Sequence, residues 1–250
     1  MRLSLRTYLA TTGRILAQLR ADRRTVGLIA VVPALLLTLL YFVYHDYPGA
    51  DLLFNRIAVS MMAILPMVVM FLVTSVAMLR ERTGGTLERL WTTPAHRTDL
   101  LFGYATAFAL TAVGQSLILC AVAAWGLEVR IEAAWGWVVL SSLINALVGV
   151  SLGLVVSAFA RTEFQAVQFM PVVIAPQLFL CGLLVPRDQL PRALEVISDV
   201  LPMSWSVDAI GELTAHAEVT GDYLRNLACL VCLALVVLAV AAMTLPRRTR

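Results

Sequence analysis

The sequence contains no lysine and little charge of any kind. All 19 basic residues are arginine, and charged residues make up 14% of the chain against 60% for hydrophobic ones. An ordinary soluble domain is about a quarter charged, so this chain has too little polar surface to cover a compact core in water. The arginines are spread through the segments between apolar runs and gather in no patch beside aromatic rings, which argues against a nucleic-acid partner. Their uniform use fits a GC-rich coding sequence.

Histidine and cysteine are scarce as well. His45, His96 and His216 lie far apart in connecting regions, and no HExxH, zinc spacing, Walker-type glycine loop or nucleophile elbow occurs. No catalytic site and no metal site is therefore expected in this chain, and a machine driven by ATP would need another chain to hydrolyse it. Cys120, Cys181, Cys229 and Cys232 sit in or beside apolar segments, where a thiol serves as a small packing residue. The opening MRLSLRTYLATTGRILAQLR lacks a continuous apolar core followed by a small-residue cleavage site, so the N-terminus is expected to be retained.

What is present is a series of apolar runs. A helix needs about 20 residues to cross a hydrocarbon core, and six stretches approach that length, near 27–44, 57–79, 101–125, 135–159, 167–185 and 227–245. Ahead of them, residues 1–24 form a separate unit before a membrane domain at 25–250. In it Leu5, Tyr8, Leu9, Ile15, Leu16 and Leu19 share one sector of a helical wheel, with Arg2, Arg6, Arg14 and Arg20 outside it. Such a helix suits the headgroup plane.

With the N-terminus in the cytosol, the inner segments hold 14 of the 19 arginines and the outer ones hold Arg56, Arg130, Arg187, Arg192 and Arg225. This bias predicts six spans with both termini cytosolic. Trp125, Trp135 and Trp137 flank a short outer turn at headgroup level, and Gly149, Gly153 and Ser157 form a small-residue stripe suited to close packing. The polar residues within the runs are neutral, among them Gln115, Asn145, Gln168 and Gln177. A carrier driven by protons or sodium would more often bury an ionisable group.

The segment RERTGGTLERLWTTPAHRTDL, residues 80–100 with a coupling loop at 80–98, is the most informative. Thr86 can cap a short helix with Leu87, Leu90 and Trp91 on one face, and Pro94 limits its length. Arg80, Glu81, Arg82, Glu88 and Arg89 would then orient a partner seated on that face. The same residues read equally as a positive-inside loop whose apolar side chains dip into lipid.

Arg80, Glu81, Arg82, Gly85, Thr86, Leu87, Glu88, Leu90 and Pro94 resemble the signature that follows the second span in the permease subunits of ABC-2 type transporters, in the branch of daunorubicin-type antibiotic-resistance exporters. The likeness continues at Gly182, Leu183, Leu184 and Pro186, at Leu190 and Pro191, and at Leu201, Pro202 and Trp205. It implies an all-α polytopic membrane protein with an N-terminal interface helix, a cytosolic coupling helix and short re-entrant helices at 186–222 before the last span. A plain surface loop is the other reading of 186–222.

The resemblance also implies the partners. They are a dimer of ABC ATPase subunits that binds ATP and Mg, a second permease copy or a homologous permease, membrane lipids and a small hydrophobic or amphipathic cargo. The expected function is ATP-driven efflux of a drug, antibiotic or lipid across the bacterial plasma membrane, with Gly85 to Leu90 and Trp91 as the coupling surface. Gly182, Pro186, Pro191, Pro202 and Trp205 would form the gate region, and Pro171 and Pro176 would bend the pathway. A membrane anchor that recruits an ATPase but moves nothing, and a membrane enzyme completed by another subunit, are the competing readings.

Overall fold

A computed structural model describes residues 5–46, 50–84 and 97–244, and among them every regular element is helical. Helices α1 (Leu5–Ala21) and α2 (Arg23–Tyr44) are divided at Asp22. Its carboxylate accepts from the amides of Arg24 and Thr25 at 3.2 and 3.3 Å and from the Thr25 hydroxyl at 2.7 Å, so the first free amides of α2 are capped and the chain can turn there. Then come α3 (Ala50–Thr83), α4 (Arg97–Ala121, which ends in a π-helical turn, Val122–Gly126), α5 (Trp135–Phe159) and α6 (Glu163–Leu180). A short 3-10 turn, Arg187–Gln189, leads to α7 (Arg192–Ser198), α8 (Pro202–Ala215) and α9 (Gly221–Thr244).

The expectation of six spans is corrected to five. Among the described residues the helices long and apolar enough to cross a membrane are Arg23–Tyr44, Leu53–Thr83, Phe102–Gly126, Trp135–Phe159 and Gly221–Thr244. The stretch at 167–185 fails for two physical reasons. Its helix, α6, has only 18 residues and spends six of them on Glu163, Gln165, Gln168, Pro171, Pro176 and Gln177. It also stops at Leu180, because Gly182 adopts φ +90°, a left-handed conformation that redirects the chain.

α6 nevertheless joins the two ends of the bundle. Glu163 at its start meets Arg80, and Cys181 just beyond its end lines a cavity with Arg187 and Asp208. The described ends of the chain lie together at the Arg80 end, since Ala241 of α9 packs in one cluster with Ile15 of α1 and Ile29 of α2.

α3 is the central element and packs against α2, α4, α5, α6 and α8. Its closest neighbour is α5, and the backbone explains why. Pro66 in α3 has no amide to donate, so the carbonyl of Met62 loses its helical partner. The Ser142 hydroxyl of α5 donates to that carbonyl at 3.0 Å, and the Asn145 amide donates to Ala63 O. In a membrane, where water is absent, such replacements are required. Further along, a Cβ on Gly149 would stand 2.3 Å from Met67 O, and one on Gly153 would stand 2.7 Å from Phe71 O. The small-residue stripe thus brings two backbones into contact.

α1 docks on α4 through Tyr8 and Ile15 of the expected apolar sector together with Thr11 and Thr12 beside it, and leaves Leu9 of that sector outside the contact. Tyr8 Oη and Thr106 Oγ1 are 2.8 Å apart, Thr12 Oγ1 donates to Gly103 O at 3.4 Å, and Ile15 is buried, while Leu9 is 57% exposed. The cause is local: α4 presents a glycine against Thr11, so the hydroxyl-bearing side of α1 fits closest.

Candidate functional site

The last turn of α3 carries Arg80, Glu81 and Arg82, and each is held by different helices. Arg80 makes a two-point contact with Glu163 at the start of α6, Nε to Oε1 at 2.8 Å and Nη2 to Oε2 at 2.9 Å, and lies 3.8 Å from Asp22 between α1 and α2. Glu81 is 12% exposed and accepts from Arg14 of α1 at 3.2 Å and from the Tyr104 hydroxyl of α4 at 2.7 Å. Arg14 also donates to that hydroxyl at 2.7 Å, and its guanidinium stacks 5.7 Å from the ring centre. Arg82 donates to the carbonyl of Ser157 near the end of α5.

Three consecutive side chains on a helix point about 100° apart, so one short motif reaches three sides of the bundle. The charges are consistent with these pairings. The Arg80 guanidinium holds the Glu163 carboxyl below the usual glutamate range, and hydrogen bonds from the Thr25 hydroxyl and amide hold Asp22 low as well. Both groups are anionic at neutral pH.

The opposite end has its own hub. Arg187 pairs with Asp199, just after α7, and with Asp208 of α8. Burial pushes the Asp208 carboxyl up, against the pull of the guanidinium. Ser198 Oγ donates to Leu180 O at 2.7 Å, the amide of Met203 donates to Gln177 Oε1 at 3.4 Å, and Trp205 Nε1 donates to Asp199 O at 2.8 Å. The short helices are thereby tied to the end of α6. Changing Arg187 to Gln is expected to cost about 1–3 kcal/mol, because partly buried Asp208 loses its counter-charge. Adding Asp208→Asn should recover part of that loss, which a double-mutant thermal-unfolding cycle in detergent measures.

Of the residues singled out in the sequence, Arg80, Glu81 and Arg82 converge on intramolecular partners. Gly85, Thr86, Leu87, Glu88, Arg89, Leu90, Trp91 and Pro94 lie outside the described residues. Gly182, Pro186, Pro191, Pro202 and Trp205 all belong to the Arg187 end: Gly182 makes the left-handed turn, Pro186 precedes the 3-10 turn, and Pro191 and Pro202 open α7 and α8. α6 continues as one helix through Pro171 and Pro176. Sequence reasoning missed Arg14, Tyr104 and Glu163 at one end and Arg187, Asp199 and Asp208 at the other. For all but Tyr104, an uncharged residue inside an apolar run, the sequence signal is isolated charge beside such a run, and nothing in it says which groups meet.

The family described as ABC-2 type transporter matches residues 7–213. ABC transporter G family member 20 of Dictyostelium discoideum is 31% identical over 56% of this chain and 19% of its own length. Probable multidrug ABC transporter permease YbhR of Escherichia coli is 26% identical over 60% of this chain and 40% of its own. Linearmycin resistance permease protein LnrN of Bacillus subtilis is 27% identical over 58% and 38%. The chain therefore aligns with well under half the length of these relatives.

Proposed function

Because the chain belongs to the ABC-2 type transporter family, we propose that it is the permease of an ATP-driven exporter of hydrophobic or amphipathic compounds in a bacterial plasma membrane. The Arg80 end is placed in the cytosol, and the arginines gathered there, Arg14, Arg20, Arg23, Arg24, Arg80 and Arg82, support that placement. There the chain meets a pair of ATPase subunits, which bind ATP and Mg, and it works beside a second copy of itself or a diverged sibling. Two relatives named as multidrug and linearmycin-resistance permeases support a drug-like cargo.

The observation that carries this reading is the divided attachment of Arg80, Glu81 and Arg82. These residues directly precede the segment read as the coupling helix, and through them a displacement of that segment acts on α1, α4, α5 and α6 together. Packed helices shift between discrete arrangements more readily than they deform, so a push at this turn is suited to change access at the other end. No covalent chemistry is asked of the permease. It binds cargo differently in two states, and hydrolysis in the partner resets the preference.

The test is reconstitution with its ATPase into vesicles. ATP-dependent accumulation of a fluorescent amphiphile is expected, and it should vanish when Leu90 and Trp91 are both changed to Ala although the protein still inserts. Recruitment of the ATPase with no accumulation of any cargo would instead identify a membrane anchor.

A further inference from the structure

At the Arg80 end a cavity of about 650 Å³ opens between α2 and α6. Those two helices flank α3 without packing closely on one another. The walls of the gap are apolar: Leu28 of α2, Leu72 and Val76 of α3, and Phe164 and Val167 of α6. Phe164 is 72% exposed and Val167 42%, so the wall on the α6 side is uncovered within the chain. Val76 stands one turn and Leu72 two turns below Arg80, which makes the apolar wall about 12 Å deep. That depth encloses the upper part of an acyl chain.

The mouth of the cavity is different. Asp22, Arg80 and Glu163 all sit at helix ends, where lipid headgroups lie, and all three side chains are accessible, at 37%, 54% and 52%. Glu81 also lines the space, but it is already engaged by Arg14 and Tyr104. One guanidinium flanked by two carboxylates is a pattern of negative, positive, negative. Glu163 already holds Nε and Nη2 of Arg80, which leaves Nη1, 3.8 Å from Asp22, for a ligand. A zwitterionic head that carries a primary ammonium beside a phosphate complements this rim: the phosphate accepts from Arg80 Nη1, and the ammonium donates to Asp22 or to the remaining lone pairs of Glu163.

We infer that this cavity is a binding site for an aminophospholipid of the inner leaflet, with its phosphoethanolamine head on Asp22, Arg80 and Glu163 and an acyl chain in the gap between α2 and α6. Competing heads fit less well. A phosphatidylglycerol head brings net negative charge to a rim where carboxylates outnumber the cation. A phosphatidylcholine head has no N–H to donate. The α6 side of the gap is bare and apolar at Phe164 and Val167, which suits an acyl chain better than a water-soluble ligand. The bound lipid would brace α2 against α6 at the level of Arg80.

The full chain in nanodiscs of equal parts phosphatidylethanolamine, phosphatidylglycerol and phosphatidylcholine, released into detergent and weighed by native mass spectrometry, tests this. Phosphatidylethanolamine is expected to be retained about fivefold over either competitor, the scale of one favourable charge contact at a membrane surface. The preference should fall to the bulk ratio in the Asp22→Asn/Glu163→Gln double variant. Retention itself should fall in Val76→Trp, which fills the cavity. Equal retention of the three lipids by the unaltered chain, or a preference that survives the double variant, overturns the assignment. If Val76→Trp does not insert, the double variant decides alone.

Discussion

Replacing Gly149 with leucine is expected to abolish correctly folded protein, and alanine at the same place should already be damaging. The side chain would start 2.3 Å from Met67 O and 3.0 Å from the Met67 carbonyl carbon and Cα. These are backbone atoms of a helix, so no rotamer change relieves the contact. Overpacking a core typically costs 1–3 kcal/mol when side chains can adjust, and here the helices themselves must separate, so the cost should exceed about 3 kcal/mol.

Separation would also break what surrounds the contact. Ser142 and Asn145 satisfy α3 carbonyls next to Pro66 from the same face of α5, and a hydroxyl lifted off Met62 O leaves that carbonyl bare in a water-free setting. Fluorescence-detected size exclusion of tagged protein should show the peak lost for Gly149→Leu and reduced for Gly149→Ala. It should remain for Gly136→Ala, where an added Cβ meets nothing within 4 Å. A normal peak and unchanged melting point for Gly149→Leu would show that α3 and α5 do not pack this closely.

The sequence makes the bundle's composition legible because the bilayer imposes a crude rule: a long run without charge has few other places to go. The rule works for α2, α3, α4, α5 and α9, and it miscounts at α6. There the average apolarity of 167–185 outweighs Gln168 and Gln177, which are visible in the sequence, and Gly182 redirects the chain inside what looks like one run. The structure gives Gln177 a job that no hydropathy pattern expresses, since it accepts from the amide that opens α8. The glycine stripe on α5 is visible in the sequence, but its partner is not. Only the position of Pro66, which frees a carbonyl on the facing helix, would have pointed to it.

The site was legible in part for a similar reason. Arg80, Glu81 and Arg82 stand out as charges at the end of an apolar run, and a loop motif naturally reads them as facing outward. Their observed contacts are with Arg14, Asp22, Tyr104, Ser157 and Glu163, drawn from α1, the α1–α2 junction, α4, α5 and α6. Pairings over 67 to 83 positions, such as Arg14 with Glu81 and Arg80 with Glu163, are set by helix packing. Local spacing carries no trace of them.

Changing Glu81 to Gln is expected to uncouple α1 from the end of α3 and to reduce transport far more than it reduces assembly. Gln keeps the shape and an acceptor for Tyr104 but loses the charge that holds Arg14. Removing one partner of a buried ion pair costs about 3–5 kcal/mol; Arg14 is 30% exposed, so water recovers part of this and about 2 kcal/mol remains. A loss of that size is local, because Arg80 and Arg82 still tie α3 to α6 and α5. If motion passes from the coupling segment through this turn, 1.4 kcal/mol of lost coupling lowers transport about tenfold, with ATPase binding retained. Tyr104→Phe removes only one hydroxyl from the same cluster and should have a smaller effect in the same direction. The deciding measurement is a double-mutant cycle on ATP-dependent transport with Arg14→Gln. Arg14 and Glu81 acting as one link predict that the pair of changes is no worse than Glu81→Gln alone, whereas fully additive losses would show that the two charges serve separate ends and that α1 takes no part in passing the movement on.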